Sequence, residues 1–177
     1  PSFVEWQLDR EAKGWHFLNA EVQLGFDLIF EDEAGIEHVM RIEGRADRFD
    51  VHLNNHEAEV IDYKHQRLDK ISLRSQNVLE DPQLLIYARA ANESQLIAGC
   101  QVNHAAWVAL KPEIKNDNLK VPRALAIEQM PILITKFEEQ LTEDMSQLWS
   151  DKPLTAFAPD GVCLYCEARG ICRKGMW

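Results

Sequence analysis

The segment Gly44–Lys64 constrains the fold of this chain more than any other. It reads G-R-A-D-R-F-D, then a short polar connection over His52–Ala58, then V-I-D-Y-K. Each of two apolar-alternating runs ends in an acid, Asp47 in the first and Asp62 in the second. A strand projects residues i and i+2 on one face, so Asp62 and Lys64 point the same way. The connection is short enough to return the chain alongside itself and bring Asp47 near Asp62. Two carboxylates and one ammonium then converge at one end of a sheet. Hard divalent cations take oxygen ligands of this kind, and Mg²⁺ commonly uses one or two carboxylates with water and phosphate oxygens. A lysine beside them supplies a positive charge that can steady a hydroxide or a phosphate.

The rest of the chain supplies elements for such a sheet. Val22, Leu24, Phe26, Leu28 and Phe30 alternate with mostly polar residues, which predicts a strand over Glu21–Phe30. A second strand is expected over Val39–Val51, with Gly44 marking a bulge or a close approach, and a third over Glu59–Tyr63. Residues 66–81 read as a polar loop with at most one helical turn. Asp81-Pro82 then reads as a helix start, with Asp81 as N-cap and Pro82 at the first position, and the helix runs to about Asn92. Val102–Leu110 is a fourth strand and Lys111–Val121 a surface loop. Ile134, Phe137, Leu141, Met145 and Leu148 recur at helical spacing after Pro131 and read as the core face of a long helix. Residues 1–19 show no clear period, with Trp6, Trp15 and Phe17 as anchors. The expected fold class is α/β, a mixed central sheet flanked by helices.

Length and composition set outer bounds. A chain of 177 residues with 46% hydrophobic content suits one domain with a proper core. No run approaches the ~20 apolar residues of a membrane span, and no secretory leader pattern opens the chain. The chain begins at Pro1, and we read it as the C-terminal piece of a longer polypeptide, cytoplasmic and without a membrane partner. The net charge of −10 argues against a protein that coats nucleic acid, because phosphate binding is driven by Lys and Arg. It is compatible with a metal-dependent enzyme whose acidic centre is neutralised by bound cations.

Three motifs in order resemble the PD-(D/E)XK nuclease superfamily, and within it the RecB-like branch. G-R-A-D-R-F-D (Gly44–Asp50) resembles a G-x-x-D-R-x-D segment, I-D-Y-K (Ile61–Lys64) a D-Y-K motif, and Q-L-L-I-Y (Gln83–Tyr87) a Q-x-x-x-Y helix motif. A D-x-K triplet alone is common by chance; the three together are more specific. The resemblance runs from about Glu21 to the C-terminus. It implies a restriction-endonuclease-like core over residues 1–177. Asp47, Asp62 and the main-chain carbonyl of Tyr63 would hold Mg²⁺ or Mn²⁺, and Lys64 would be the catalytic lysine. Gln83 and Tyr87, at i and i+4 on one helix face, would orient the site or touch DNA; a helix simply packed on the sheet explains them equally well. Asp50 and Arg48 read as structural, with Asp50 closing the turn after the strand and Arg48 the internal partner of an acid. His65 stands where the family usually has a small hydroxyl residue, and the other five histidines show no partner spacing. Related nucleases carry a further His or Glu on a helix before the first strand. No such helix is visible in the sequence, and Glu5 and Glu21 stand only as weak candidates.

Cys163, Cys166 and Cys172, in G-V-C-L-Y-C-E-A-R-G-I-C, form a second cluster within a cysteine-rich segment over 155–177. Three closely spaced cysteines in an intracellular-looking chain read as metal thiolates rather than disulfides. Zinc, or free thiols, would also account for them. The resemblance extends to AddB-like nucleases with a 4Fe-4S cluster, in which such a trio joins one cysteine upstream of the core. Here none precedes the core, and Cys100 reads as a small core residue. The trio is therefore expected to be three quarters of a cluster site, completed only in a longer chain.

The reading that follows from the resemblance is a Mg²⁺-dependent DNA nuclease, an exonuclease of repair or recombination acting on single-stranded or helicase-unwound DNA beside a helicase domain or subunit. Two other classes stand against it. One is a non-catalytic DNA-binding or scaffolding module that kept the fold, and the other is a zinc-clamped interaction domain.

Overall fold

The computed structural model describes residues 3–52, 54–75, 78–97, 99–111, 113–115, 118–120 and 123–152, together with Cys163, Cys166, Glu167 and Cys172. A helix α1 (Phe3–Ala12) leads into three antiparallel strands, β1 (Trp15–Glu31), β2 (Glu37–His52) and β3 (Glu57–Lys64). Helix α2 (Leu68–Ser75), a 3-10 turn (Val78–Glu80) and helix α3 (Gln83–Ser94) carry the chain to β4 (Gln101–Ala109), which runs parallel to β3. A parallel neighbour requires a crossover, and α3 supplies it. Two short strands, β5 (Glu113–Lys115) and β6 (Asn118–Lys120), pair as a hairpin. β7 (Arg123–Ile127) returns antiparallel to β4, and α4 (Met130–Trp149) follows. The main sheet has the order β1-β2-β3-β4-β7. This is the expected α/β architecture with a mixed sheet, and it matches a restriction-endonuclease-like core.

The alternation in β1 is the visible cause of its fold. Leu24, Phe26, Leu28 and Phe30 are buried, while Gln23, Asp27, Ile29 and Glu31 are exposed. From Ala58 to Asp62 every residue of β3 is buried, as befits a strand covered on both faces. Helix α3 packs Leu84, Leu85, Tyr87, Ala88, Ala90 and Ala91 into the core. α4 adds Met130, Ile134 and Phe137, and Arg89 joins the two helices through Glu138 at 2.5 Å. The expected core stripe of α4 ends early: Leu141 and Met145 are partly buried, but Leu148 is 41% exposed.

Several expectations need correction. The first strand begins at Trp15, six residues before Glu21, with a register shift between Phe17 and Asn19. Residues 66–81 are not a loop but hold α2 and the 3-10 turn, anchored by buried Ile71 and Val78. Part of Lys111–Val121 forms the β5–β6 hairpin, and β7 was not foreseen. The helix missing from the sequence reading before the first strand exists as α1. Helix α3 is capped by Pro82 rather than Asp81, and no side chain makes the cap hydrogen bond.

Candidate active site

The pairing of β2 with β3 sets the site. Their ladder runs from His52↔Glu57 to Arg48↔Ile61 and then stops. Asp47 and Asp62 are the next residues along the two strands, where the partners separate. Beyond that point the Tyr63 amide donates not to a strand carbonyl but to Asp47 Oδ2, at 2.8 Å. A carboxylate thus closes the open end of the ladder and is held beside Asp62.

Asp62 is 3% exposed. The Lys64 ammonium lies 2.8 Å from Asp62 Oδ2, yet that oxygen receives no aligned hydrogen bond among the described residues. The ion pair is close, but its geometry leaves a lone pair of a buried carboxylate open. Burial pushes the Asp62 pKa up; Lys64 opposes this, and the charges of Asp47 and Asp81 add to it.

Lys64 is fixed from a second direction. It donates to Gln83 Oε1 at 2.7 Å, and Gln83 Nε2 donates to the Tyr87 hydroxyl at 3.0 Å. Gln83 and Tyr87 therefore share the site-facing side of α3, and the chain Asp62–Lys64–Gln83–Tyr87 is continuous. Gly44 completes it. A Cβ built there would lie 2.6 Å from Tyr87 Cε1, so the tyrosine ring occupies the space that a side chain on β2 would need. The glycine at the head of G-R-A-D-R-F-D is there for close approach, not for a special turn.

The alternate residues of the same strands face α1. Arg48 donates to Asp50 through Nε at 2.5 Å and Nη2 at 2.9 Å, to the Tyr63 hydroxyl at 3.1 Å and to Gln7 Oε1 at 2.6 Å. Arg10 of α1 donates to Asp50 Oδ2 at 2.9 Å and also binds Glu59. Burial opposes the charge on Arg48, and the hydrogen bonds and charge of Asp50 more than offset it, so the guanidinium stays above its ordinary value. Burial raises Glu59 against the opposing pull of Arg10, and burial likewise raises Tyr63 against Arg48. The structural reading of Arg48 and Asp50 holds in kind. Asp50, however, lies within β2, fully buried, and does not close a turn.

The weaker candidates fall elsewhere. Glu21 pairs with Arg45 at 2.9 Å on the surface, and Glu5 is on the exposed side of α1. His65 is exposed just past β3. His38 does have a partner, Asp32 at 2.9 Å, which lowers the Asp32 pKa. His52 and His104 both meet the Trp15 ring edge-on. No disulfide joins the cysteines; Cys100 packs beside the core, while Cys163 and Cys172 are half-buried and Cys166 is exposed. Most of the segment 155–177 lies outside the described residues. Among the described residues no three His, Cys, Asp or Glu side chains stand together as a ready metal cage.

The larger of two hollows lies away from this site. About 1020 Å³ in volume, it lies between the end of β1 and α4, and Glu31, Glu33, Glu37, Glu138, Glu139 and Glu143 line it. Such a wall repels phosphate. A smaller cavity of about 340 Å³ is lined by Gln66, Arg67, Lys70 and Lys111. No helix among the described residues is long and apolar enough to cross a membrane.

The orphaned Asp62 oxygen, its raised pKa and the adjoining Asp47 fit a divalent cation, which would relieve all three. Comparison with known proteins points the same way. The sequence profile of the PD-(D/E)XK nuclease superfamily matches residues 1–173. No curated protein matches the chain. With nearly its whole length matched, the chain belongs to the PD-(D/E)XK nuclease superfamily.

Proposed function

We propose that this member of the PD-(D/E)XK nuclease superfamily is a Mg²⁺-dependent deoxyribonuclease of the RecB-like type. The observation that carries the reading is the under-neutralised acid pair, Asp47 and Asp62, beside a lysine clamped from two sides. Asp47 and Asp62, with the Tyr63 carbonyl, would hold the cation. When bound, such a cation lowers the pKa of a water and offsets phosphate charge. The protein's own share falls to Lys64 and its supports. Gln83 and Asp62 fix the ammonium against the site, where it donates hydrogen bonds to the attacking oxygen or to a phosphate oxygen. Tyr87 holds Gln83, and Gly44 lets Tyr87 in. A preorganised cation of this kind acts where charge develops and needs no rearrangement during the reaction.

The finer points rest on the motifs. The G-x-x-D-R-x-D, D-Y-K and Q-x-x-x-Y segments favour a RecB-like exonuclease of repair or recombination, acting on single-stranded or helicase-unwound DNA in the cytoplasm. The spacing of Cys163, Cys166 and Cys172 favours a 4Fe-4S cluster whose fourth ligand comes from outside this chain. One observation favours a second reading, a DNA-binding or scaffolding module without catalysis: the net charge of −10.

One experiment separates the two. Calorimetric titration with Mg²⁺ or Mn²⁺, run beside cleavage of labelled single-stranded DNA, should show binding and turnover in the wild type. Both should be lost in Asp62→Ala. Cation affinity that survives in that variant sinks the metal assignment, and a wild type that binds cations but never cleaves leaves the non-catalytic module.

A further inference from the structure

The small basic cavity adjoins the candidate active site through the backbone. Lys64 ends β3, and Gln66 and Arg67 follow directly before α2, whose first turn carries Lys70. On the neighbouring strand, the Leu110 amide donates to the Lys64 carbonyl at 2.9 Å. Lys111 is the next residue. The ends of β3 and β4 and the start of α2 therefore deliver Gln66, Arg67, Lys70 and Lys111 to one cavity of about 340 Å³.

The charge in this cavity runs against the rest of the chain. Acids outnumber Lys and Arg by 29 to 19 overall, and the other hollow is walled by glutamates. Among the described residues this one is lined by three cations and an amide, with no carboxylate. Arg67 is steadied by Asp69 at 3.3 Å on the exposed surface. Lys70 and Lys111 are exposed, and neither has an ion pair among the described residues. A concave set of three cations with one carboxylate, Asp69, beside it carries an excess of positive charge that favours a bound anion.

The position identifies the anion. Gln66 lies two residues past Lys64, across a bend at His65 and Gln66, and neither Asp62 nor Lys64 is among the described residues that line the cavity. The cavity therefore stands beside the acid–lysine site rather than in it, placed for a phosphate next along the strand from the one that Lys64 addresses. We propose that Gln66, Arg67, Lys70 and Lys111 form a seat for a backbone phosphate of a nucleic-acid strand, adjacent to the one presented to Asp47, Asp62 and Lys64. The inference rests on the nuclease reading of that site. It gives the strand a direction of exit, past the end of β3 and over the start of α2.

The test is binding, so it does not depend on turnover. A fluorescent single-stranded oligonucleotide is titrated by anisotropy with Ca²⁺ in place of Mg²⁺, against wild type, Lys70→Glu, Lys111→Glu and the double variant. Lys13→Glu serves as control, because Lys13 lies by His52, at the far end of the β2–β3 ladder. The double variant should weaken binding by about tenfold or more and flatten the salt dependence by about 0.7 in the log–log slope, the loss of one single-strand phosphate contact. The control should stay within about twofold.

Equal weakening by Lys13→Glu, an unchanged double variant, or a wild type that binds no oligonucleotide overturns the inference. Inorganic phosphate that competes with the oligonucleotide in the wild type but not in the double variant supports a phosphate seat. Phosphate binding lost in the double variant while oligonucleotide binding persists makes it a free-anion site and overturns the strand assignment. The nuclease reading is judged separately, by wild-type cleavage with Mg²⁺ and its loss in Asp62→Ala.

Discussion

The two faces of the β2–β3 ribbon are built from alternate residues of the same two segments, yet they treat charge in opposite ways. Toward α1, two guanidiniums, Arg10 and Arg48, meet two carboxylates, Asp50 and Glu59, through bidentate and bridging contacts. Toward α3, buried Asp62 has one ammonium, Lys64, with the like charge of Asp47 beside it. The first face is neutral and saturated with hydrogen bonds. The second leaves a buried oxygen unsatisfied. Matched charge of the first kind fixes α1 to the sheet. Unmatched charge of the second kind costs stability and persists only where something else supplies the missing positive charge.

The largest effect expected from this contrast is on stability. Arg48→Ala leaves Asp50, fully buried, with one guanidinium fewer, and should destabilise the protein by about 3–5 kcal/mol in urea denaturation. Asp62→Asn, on the other face, should leave the metal-free protein as stable as wild type or more so, although it abolishes cleavage. Loss of stability in Asp62→Asn comparable to that in Arg48→Ala would erase the distinction between the faces.

Lys64→Ala comes next. It should leave the cation bound, seen by calorimetry, while turnover falls by about 10²-fold. Unchanged turnover would return Lys64 to an ordinary strand-end lysine.

Gly44→Ala should cost about 1–3 kcal/mol by overpacking against Tyr87. Pairing it with Tyr87→Leu should recover most of that stability but not the activity. If Gly44→Ala is neutral, the tyrosine ring is not held where the structure has it.

The smallest effect is in pH. Burial holds the Asp62 pKa above its ordinary 3.8. Its contribution to metal-free stability is therefore complete below the unfolded value and lost as pH rises through the folded one. A divalent cation binds the ionised form, so the Mg²⁺-induced rise in Tm should grow with pH across that same window. It should vanish in Asp62→Asn. A Tm increment independent of pH would place the cation elsewhere.

How much of this could be read from sequence follows from the same contrast. Strand and helix periods show that Asp62 and Lys64 share one face and Gln83 and Tyr87 another, and the short connection brings Asp47 near Asp62; the place of Gln83 and Tyr87 beside Lys64 came only from the resemblance. Helix α1 was not. Its interior contacts are Trp6, Gln7 and Arg10, while Phe3, Val4 and Leu8 are exposed, so its hydrophobic pattern is close to inverted. Only the tertiary partner Asp50 explains it. β7 is a five-residue edge strand, R-A-L-A-I, and alanine carries little strand signal. The D-P pair is a strong local capping signal, yet α3 takes Pro82 as its N-cap and no side chain makes the cap hydrogen bond. The restriction-endonuclease-like core survived these errors because the sheet order depends on β1 to β4 and the α3 crossover, all of which were seen.

The two-sided strands carry a further consequence for how such a gene can change. Between Asp47 and Asp50, and again between Ile61 and Lys64, neighbouring codons serve different interiors. A point substitution damages one of them and spares the other. The gain or loss of a single codon would exchange them wholesale, turning the matched pair toward the open end of the ladder and the site acids toward α1. A change of letter in these stretches is thus a local injury, and a change of length is a global one. Any lengthening tolerated by the ribbon has to fall in the polar connection between the strands, where no side chain has a face to keep.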